Sequence, residues 1–378
     1  MILSGRRVRQ VRELQRLTQS ALVREVSGLT QPQLSRIESD VAEADPEVAA
    51  QIAVVSGVSV DFLATDPTDD LIAQSPQLRS RSRLTKFSRL RALRYAELVD
   101  EQYQRMLNRA RPLPLAFNPL DGESPRQAAA TVRDWLGFDS DVPLPYLVLA
   151  VERLGITVLG LPVEEDALDA FCLWRSGQPV ICILAGVPGD RVRFGVAHEL
   201  GHLALHRHDR RTGADVEAEA DEFAAELLTP IAHVERLLPR TATLNALAMV
   251  RSEWGVSIKS LIRRGREVGA IDSDRAISLY KQMSSRGWNK REPGFVPIEK
   301  PRAFRKLAEI CYGPGPNVSR MASEAGWSEN LTLDVLDQFA KPDELPHDRP
   351  PHRTRVDGGN VVDLDALRAA RNLRPAQA

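Results

Sequence analysis

Cysteine is scarce in this 378-residue sequence: Cys172, Cys182 and Cys311 are all it has. The number is odd and the spacing fits no metal-ligand pattern. This excludes a disulfide scaffold and predicts free, buried thiols in a reducing cytoplasm. Long hydrophobic runs are also missing. A stretch such as Val180-Ile181-Cys182-Ile183-Leu184-Ala185 falls far short of the ~20 residues a membrane helix needs. The opening residues Met1 to Arg7 carry no apolar signal segment, so a cytoplasmic protein without membrane contact is expected. Apolar residues make up 43% and charged residues 27%, which excludes collagen-like chains and wholesale disorder. At roughly 150 residues per domain, the length predicts two to three domains.

An excess of one charge is absent overall, at −1, but the average hides strong segregation. Residues 1–37 carry seven arginines and two glutamates, residues 38–66 seven acids and no base, and residues 79–94 six arginines, one lysine and no acid. The two basic segments are candidate anion binders. For Arg79, Arg81, Arg83, Lys86, Arg89, Arg91 and Arg94, contact with phosphate competes with a solvated helix paired to acids elsewhere.

No long internal repeat is visible. Composition divides the chain into a helical unit at 1–66, a basic helical linker at 67–122, a mixed domain at 123–295, short helices at 296–340 and a mostly disordered, Pro-rich tail at 341–378. Within the mixed domain, apolar steps predict helices at 128–136 and 144–154. Strands follow at 156–159, 170–174 and 180–184, the last two joined as a hairpin through Ser176-Gly177-Gln178-Pro179. Further helices are predicted at about 190–207, 215–228 and 242–268.

In the first unit, Val8, Val11, Leu14 and Leu17 form one apolar stripe. Thr18 caps a second helix, and Thr30 caps a third with Pro32 in its first turn. Leu34 and Ile37 face inward, which leaves Gln31, Gln33, Ser35 and Arg36 outward. These side chains suit base edges: Gln pairs with adenine and Arg with guanine. The unit resembles a helix-turn-helix of the Cro/repressor (XRE) family in Thr18-Gln19 and Leu34-Ser35-Arg36-Ile37-Glu38. The resemblance implies that Gln19 touches phosphate and that the third helix, from Thr30, enters the major groove of double-stranded DNA. The acidic block 38–66 would then face away from DNA. A helical bundle used only for docking or dimerisation is the alternative.

Four of the seven histidines fall within eleven residues: His198, His202, His206 and His208. His198-Glu199-Leu200-Gly201-His202 is an H-E-x-x-H pattern. On a helix, two histidines four apart point the same way and can share one Zn²⁺, while Glu199 reaches a water without binding the metal. A third ligand is sought in Glu217 to Pro230. Glu217 and Asp221 share a face there, so one carboxylate can bind metal while the other fixes a ligand histidine. Glu217 is preferred, with Glu219 and Glu222 as rivals. Glu219, Glu222 and Glu226 otherwise read as a solvated face. His208 has metzincin spacing, but Leu205 stands where that pattern needs glycine. His206 is assigned a supporting role behind His202.

The run Arg191 to His206, followed by Glu217 to Pro230, resembles the ImmA/IrrE family of metallopeptidases. The resemblance implies an α+β, mostly helical protein. An all-α helix-turn-helix domain would precede a zincin-like (gluzincin) domain with a small sheet and a helical C-terminal part. It implies His198, His202 and Glu217 as ligands of one Zn²⁺ per chain, Glu199 as general base and acid, and Asp221 as partner of a ligand histidine. It also implies a protein or peptide substrate of repressor or antitoxin type. A toxin partner and a homodimer on paired half-sites are compatible with this reading. His233, Arg193 and Tyr280 are candidates to steady an oxyanion. The peptide is expected along an edge strand, with Val180–Leu184 proposed for it. The competing reading is a transcription factor or antitoxin whose peptidase-like domain only senses or binds a partner.

Overall fold

A computed structural model describes residues 1–68, 85–110, 113–207, 213–238, 242–341 and 344, and the backbone of 353–355 and 361–363. The head comprises α1 (Gly5–Leu14), α2 (Gln19–Glu25), α3 (Gln31–Ile37), α4 (Pro46–Ser56) and α5 (Val60–Ala64). Its caps are those the sequence calls for. Thr18 accepts the Ala21 N–H, and Thr30 forms a reciprocal capping box with Gln33, satisfying helix-end donors that would otherwise face water. Gly5 lets α1 meet the end of α3: a Cβ there would lie 2.5 Å from the Ile37 carbonyl oxygen. Arg12 holds the same junction, donating to both Glu38 carboxylate oxygens at 2.5 and 2.9 Å.

The arginine-rich helix α6 (Lys86–Leu107) is a core element rather than a linker. Ala92, Leu93, Ala96, Leu98 and Val99 are buried along it, and α1 docks on it through polar groups. Arg7 is fully buried. It grips Glu101 at 2.9 and 3.1 Å and lies 4.1 Å over the Phe62 ring. Gln10 donates to Glu97. Arg94 binds Glu13 and Glu97, and Arg91 donates to the Leu14 carbonyl. These two arginines therefore serve the protein and not a phosphate backbone. Arg79, Arg81 and Arg83 lie outside the described residues.

After α7 (Pro125–Leu136) and α8 (Leu147–Arg153) comes a sheet of β1 (Thr157–Leu161), β2 (Ala170–Arg175) and β3 (Gln178–Leu184). Its order is β1-β3-β2, with β1 parallel and β2 antiparallel to β3. The hairpin turn is Ser176-Gly177, both at positive φ, as a two-residue turn between right-twisted strands demands. The strand proposed as an edge, Val180–Leu184, is thus central and paired on both sides; β2 is an edge.

The remaining helices are α9 (Gly189–Leu205), α10 (Ala214–Leu228), α11 (Ile231–Leu237), α12 (Leu244–Trp254), α13 (Ile258–Glu267), α14 (Ser273–Ser285), α15 (Ala303–Tyr312), α16 (Val318–Ala325) and α17 (Glu329–Asp337). The expected single helix at 242–268 is two, because Gly255 caps α12 in the left-handed region and Ser257 caps α13. The same helix–Gly–x–Ser–helix turn recurs at Gly57-Val58-Ser59 and Gly326-Trp327-Ser328. Of the tail expected to be disordered, Lys341 and Glu344 are described, and the backbones of β4 (Arg353–Arg355) and β5 (Val361–Asp363) pair antiparallel. The rest lies outside the described residues. No described helix is long and apolar enough to cross a membrane. The architecture is α+β and mostly helical, with a small sheet.

Candidate functional site

Helix α9 carries the histidines. Val192, Val196, Ala197, Leu200, Leu203 and Ala204 are buried along it, so it is covered on most sides. It crosses the edge strand β2: a Cβ on Gly195 would stand 3.4 Å from that of Ala170, and Arg207 stacks 4.2 Å from the Trp174 ring. Gly201, inside the H-E-x-x-H pattern, touches α10. A Cβ there would meet the Phe223 ring at 3.0 Å. This close approach carries the first turns of α10 up to the histidines. Sequence reasoning missed Gly201; the signal was a glycine in the middle of a helix, where it costs about 1 kcal/mol against alanine.

The donor atoms converge. His198 Nε2 and His202 Nε2 are 3.1 Å apart, and Glu217 offers one carboxylate oxygen to each at 3.5 Å. Among the described residues, His198, His202 and Glu217 form the group of three able to share an ion. Four ligands at 2.0–2.1 Å on a tetrahedral zinc stand about 3.3 Å apart, so these spacings fit that ion. Glu217 is about one-third exposed at its side chain, which leaves the site open on one side. Glu199 is buried, and its charge helps hold the proton on His198.

Each histidine is held from behind. His198 Nδ1 lies 2.9 Å from Asp221 Oδ1. Burial opposes charge on His198, but its bonds to Asp221 and Glu217 outweigh burial and raise its pKa to about 9. Contact with His198, the largest influence, holds the Glu217 carboxyl well below the usual range. His202 Nδ1 lies 3.0 Å from His206 Nδ1, and His206 Nε2 lies 2.9 Å from Glu219 Oε2.

Several expectations are corrected here. Glu219 binds His206 and stands outside the donor group. Glu226 is buried against Arg264 and accepts the Ile231 N–H. Glu222, half-exposed and paired with Arg126, is the most solvated acid of the three. Arg193 is a buried staple that bonds Glu299 and the carbonyls of Gly255 and Leu144, so it has no role in steadying an oxyanion. His233 stacks on Trp254, its buried Nδ1 without a hydrogen-bond partner among the described residues, and Tyr280 packs on the core. His208 lies outside the described residues. Arg263, not singled out by sequence, reaches to 4.0 Å of Asp221 at the rim.

On the head, Gln31, Gln33, Ser35 and Arg36 are exposed along α3, and Thr30 is exposed at its start. Gln33 is engaged by the capping box, Gln31 accepts from Ser20, and Gln19 donates to Glu38. Arg36 and Gln33 line a groove of about 450 Å³ whose other wall includes Glu43, Asp45 and Glu47. These three acids of the 38–66 segment therefore lie beside α3, not behind it.

Residues 8–63 match the helix-turn-helix family, and residues 151–265 match the IrrE N-terminal-like domain family. No curated protein matches the chain. A solved Mycobacterium tuberculosis transcriptional regulator aligns at 14% identity with a TM-score of 0.27, over 45% of this chain and 51% of that one. The chain thus spans about half the length of that structure.

Proposed function

From a helix-turn-helix domain joined to an IrrE-like domain, we propose a DNA-associated regulator that is also a zinc-dependent endopeptidase. The substrate would be a regulatory protein of repressor or antitoxin type. The observation that carries the reading is the donor spacing around His198, His202 and Glu217, with Glu199 buried beside it. The proposed division is a DNA-binding unit at 1–66 and a peptidase unit at 123–295.

When bound at these three residues, zinc would supply a Lewis acid that polarises a carbonyl and acidifies water. The chain's own groups do the rest. Asp221 and His206 hold the ligand histidines with Nδ1 turned away from the donor group. Glu199 takes a proton from the attacking water and passes it to the leaving amine. β2 has a main-chain edge with no second strand partner among the described residues, and an extended peptide would pair there. On the head, Ser35 and Arg36 read bases, with Gln31 and Gln33 beside them, while Gln19 and the α3 start at Thr30 face phosphate.

The test compares new protein N-termini in cells carrying wild type or Glu199→Gln, with zinc measured in both purified proteins. Termini confined to wild type, with one zinc in each, support the peptidase. Equal termini at full zinc overturn it in favour of a non-proteolytic sensor or antitoxin.

A further inference from the structure

We propose that Glu219 and His206 are positioning residues. Together they form a two-step relay that fixes His202 with its Nε2 lone pair facing the donor group. The inference rests on the zinc-site reading above and deepens it.

The hydrogen bonds run inward from Glu219 through His206 to His202. A carboxylate can only accept. The 2.9 Å contact with Glu219 therefore places a proton on His206 Nε2. A neutral His206 then has a bare Nδ1, an acceptor. Its neighbour at 3.0 Å is His202 Nδ1, which must donate. His202 thus carries its proton on Nδ1 and leaves Nε2 bare. That nitrogen faces His198 Nε2 at 3.1 Å and Glu217 at 3.5 Å. With His206 neutral, each assignment sets the next.

Burial makes the relay binding. His202 and His206 are both 2% exposed, so bulk water offers little alternative partner to either ring. The two ligand histidines are thus oriented to different depths. Asp221 reaches His198 in one step across from α10. Glu219, two residues earlier on the same helix, reaches His202 in two steps through the ring at the end of α9. α10 therefore supplies a ligand, Glu217, and two carboxylates that each set one histidine.

The experiment measures zinc affinity by competition with a chromophoric chelator for wild type, His206→Phe, Glu219→Ala and Glu219→Gln. Alongside, the ring-nitrogen protonation of His202 is read by long-range ¹H–¹⁵N correlation in the metal-free and zinc-loaded proteins. His206→Phe keeps a ring but no acceptor, and affinity should fall about 10–100-fold. Glu219→Ala should fall in the same direction. Glu219→Gln retains an accepting oxygen and should recover most of the loss. His202 should carry its proton on Nδ1 in wild type and become a mixture of tautomers in His206→Phe. Wild-type affinity and tautomer in both His206→Phe and Glu219→Ala would overturn the relay, as would a Gln variant no better than Ala. Failure of wild type to bind zinc would defeat the zinc-site reading instead. The metal-free spectra would then still decide the relay.

Discussion

Ser59 and Ser328 are related by a local two-fold. Ser59 donates its N–H to the Gly326 carbonyl at 2.8 Å, and Ser328 donates to the Gly57 carbonyl at 2.8 Å. Between them Val58 and Trp327 form an antiparallel bridge, both buried. Each serine also caps the helix that follows it. The two helix–Gly–x–Ser–helix turns clasp each other, tying the head to α16 and α17. Gly326 is at φ +70°, and a Cβ there would lie 2.8 Å from Phe62 Cβ. Gly28, at φ +77°, has open space around it. Gly28→Ala should therefore cost about 1 kcal/mol and Gly326→Ala about 2–3 kcal/mol. Equal losses in thermal denaturation would mean that the clasp can yield. Limited proteolysis should also cut the head more readily in Gly326→Ala.

The chain Asp221–His198–His202–His206–Glu219 has four contacts, each needing one proton, but three neutral imidazoles carry only three. Without metal, the fourth proton sits between His198 Nε2 and His202 Nε2, where zinc would bind. The His198 pKa of about 9 agrees with this count. Zinc must then displace a proton at neutral pH, so its affinity should rise about tenfold per pH unit and level off near 9. Calorimetry in buffers of different ionisation enthalpy should report close to one proton released per zinc at pH 7. Because the folded pKa is raised, the metal-free protein gains stability from His198 fully below about pH 6.5 and loses it as pH passes 9. A pH-independent zinc affinity between 6 and 9 would refute the count.

Much of the site was legible because helical spacing is local. His198 and His202 need only one helix, and Glu217 with Asp221 only another, so periodicity alone paired them. The expected caps, Thr18 and Thr30, likewise depend on neighbours three residues away. What the sequence did not reveal depends on which elements meet. The function of Glu219 follows from where His206 ends α9. Arg193, near the histidines in sequence, turned out to be a staple because Glu299 and Gly255 come to it from distant segments. The central place of β3 was hidden because a hairpin partner and a parallel partner leave the same apolar run. The split at Gly255 was readable in principle, since Gly-Val-Ser already marks the turn between α4 and α5.

Glu152 on α8 accepts N–H groups from Arg302 and Ala303 at the start of α15, a helix whose own first residues supply no cap. Burial dominates and raises its pKa to about 7, against the lowering effect of those bonds. A raised carboxyl pKa contributes stability fully below about 4.5, and this is lost as pH rises through 7. The span corresponds to about 3 kcal/mol. Both N–H groups reach Glu152 Oε1, so the amide oxygen of Glu152→Gln can keep them. The variant should match wild type near pH 5 and exceed its melting temperature near pH 8. A difference that does not change with pH would show that Glu152 does not titrate in this range.

On the proposed reading, Arg36 and its acidic surroundings should give DNA binding by the head a shallow salt response. Arg6, Arg24 and Arg36 are exposed, whereas Arg7 and Arg12 are consumed by Glu101 and Glu38, and Arg9 and Arg16 pair with Glu38 and Glu165. Glu43, Asp45 and Glu47 share the groove with Arg36. Each phosphate neutralised contributes about −0.9 to the slope of log affinity against log salt, so few free cations mean a shallow slope. Arg36→Ala should weaken specific binding by about 1–3 kcal/mol at a base it reads, with no change in melting temperature. Gln33→Ala should weaken binding and also destabilise α3 by about 1 kcal/mol, because the capping box is lost. Glu47→Gln should tighten binding at low salt, since one phosphate-repelling charge is gone. Fluorescence anisotropy across a salt series reads all three. If Arg36→Ala binds as wild type does while Glu47→Gln has no effect, the groove beside α3 is not where DNA lies.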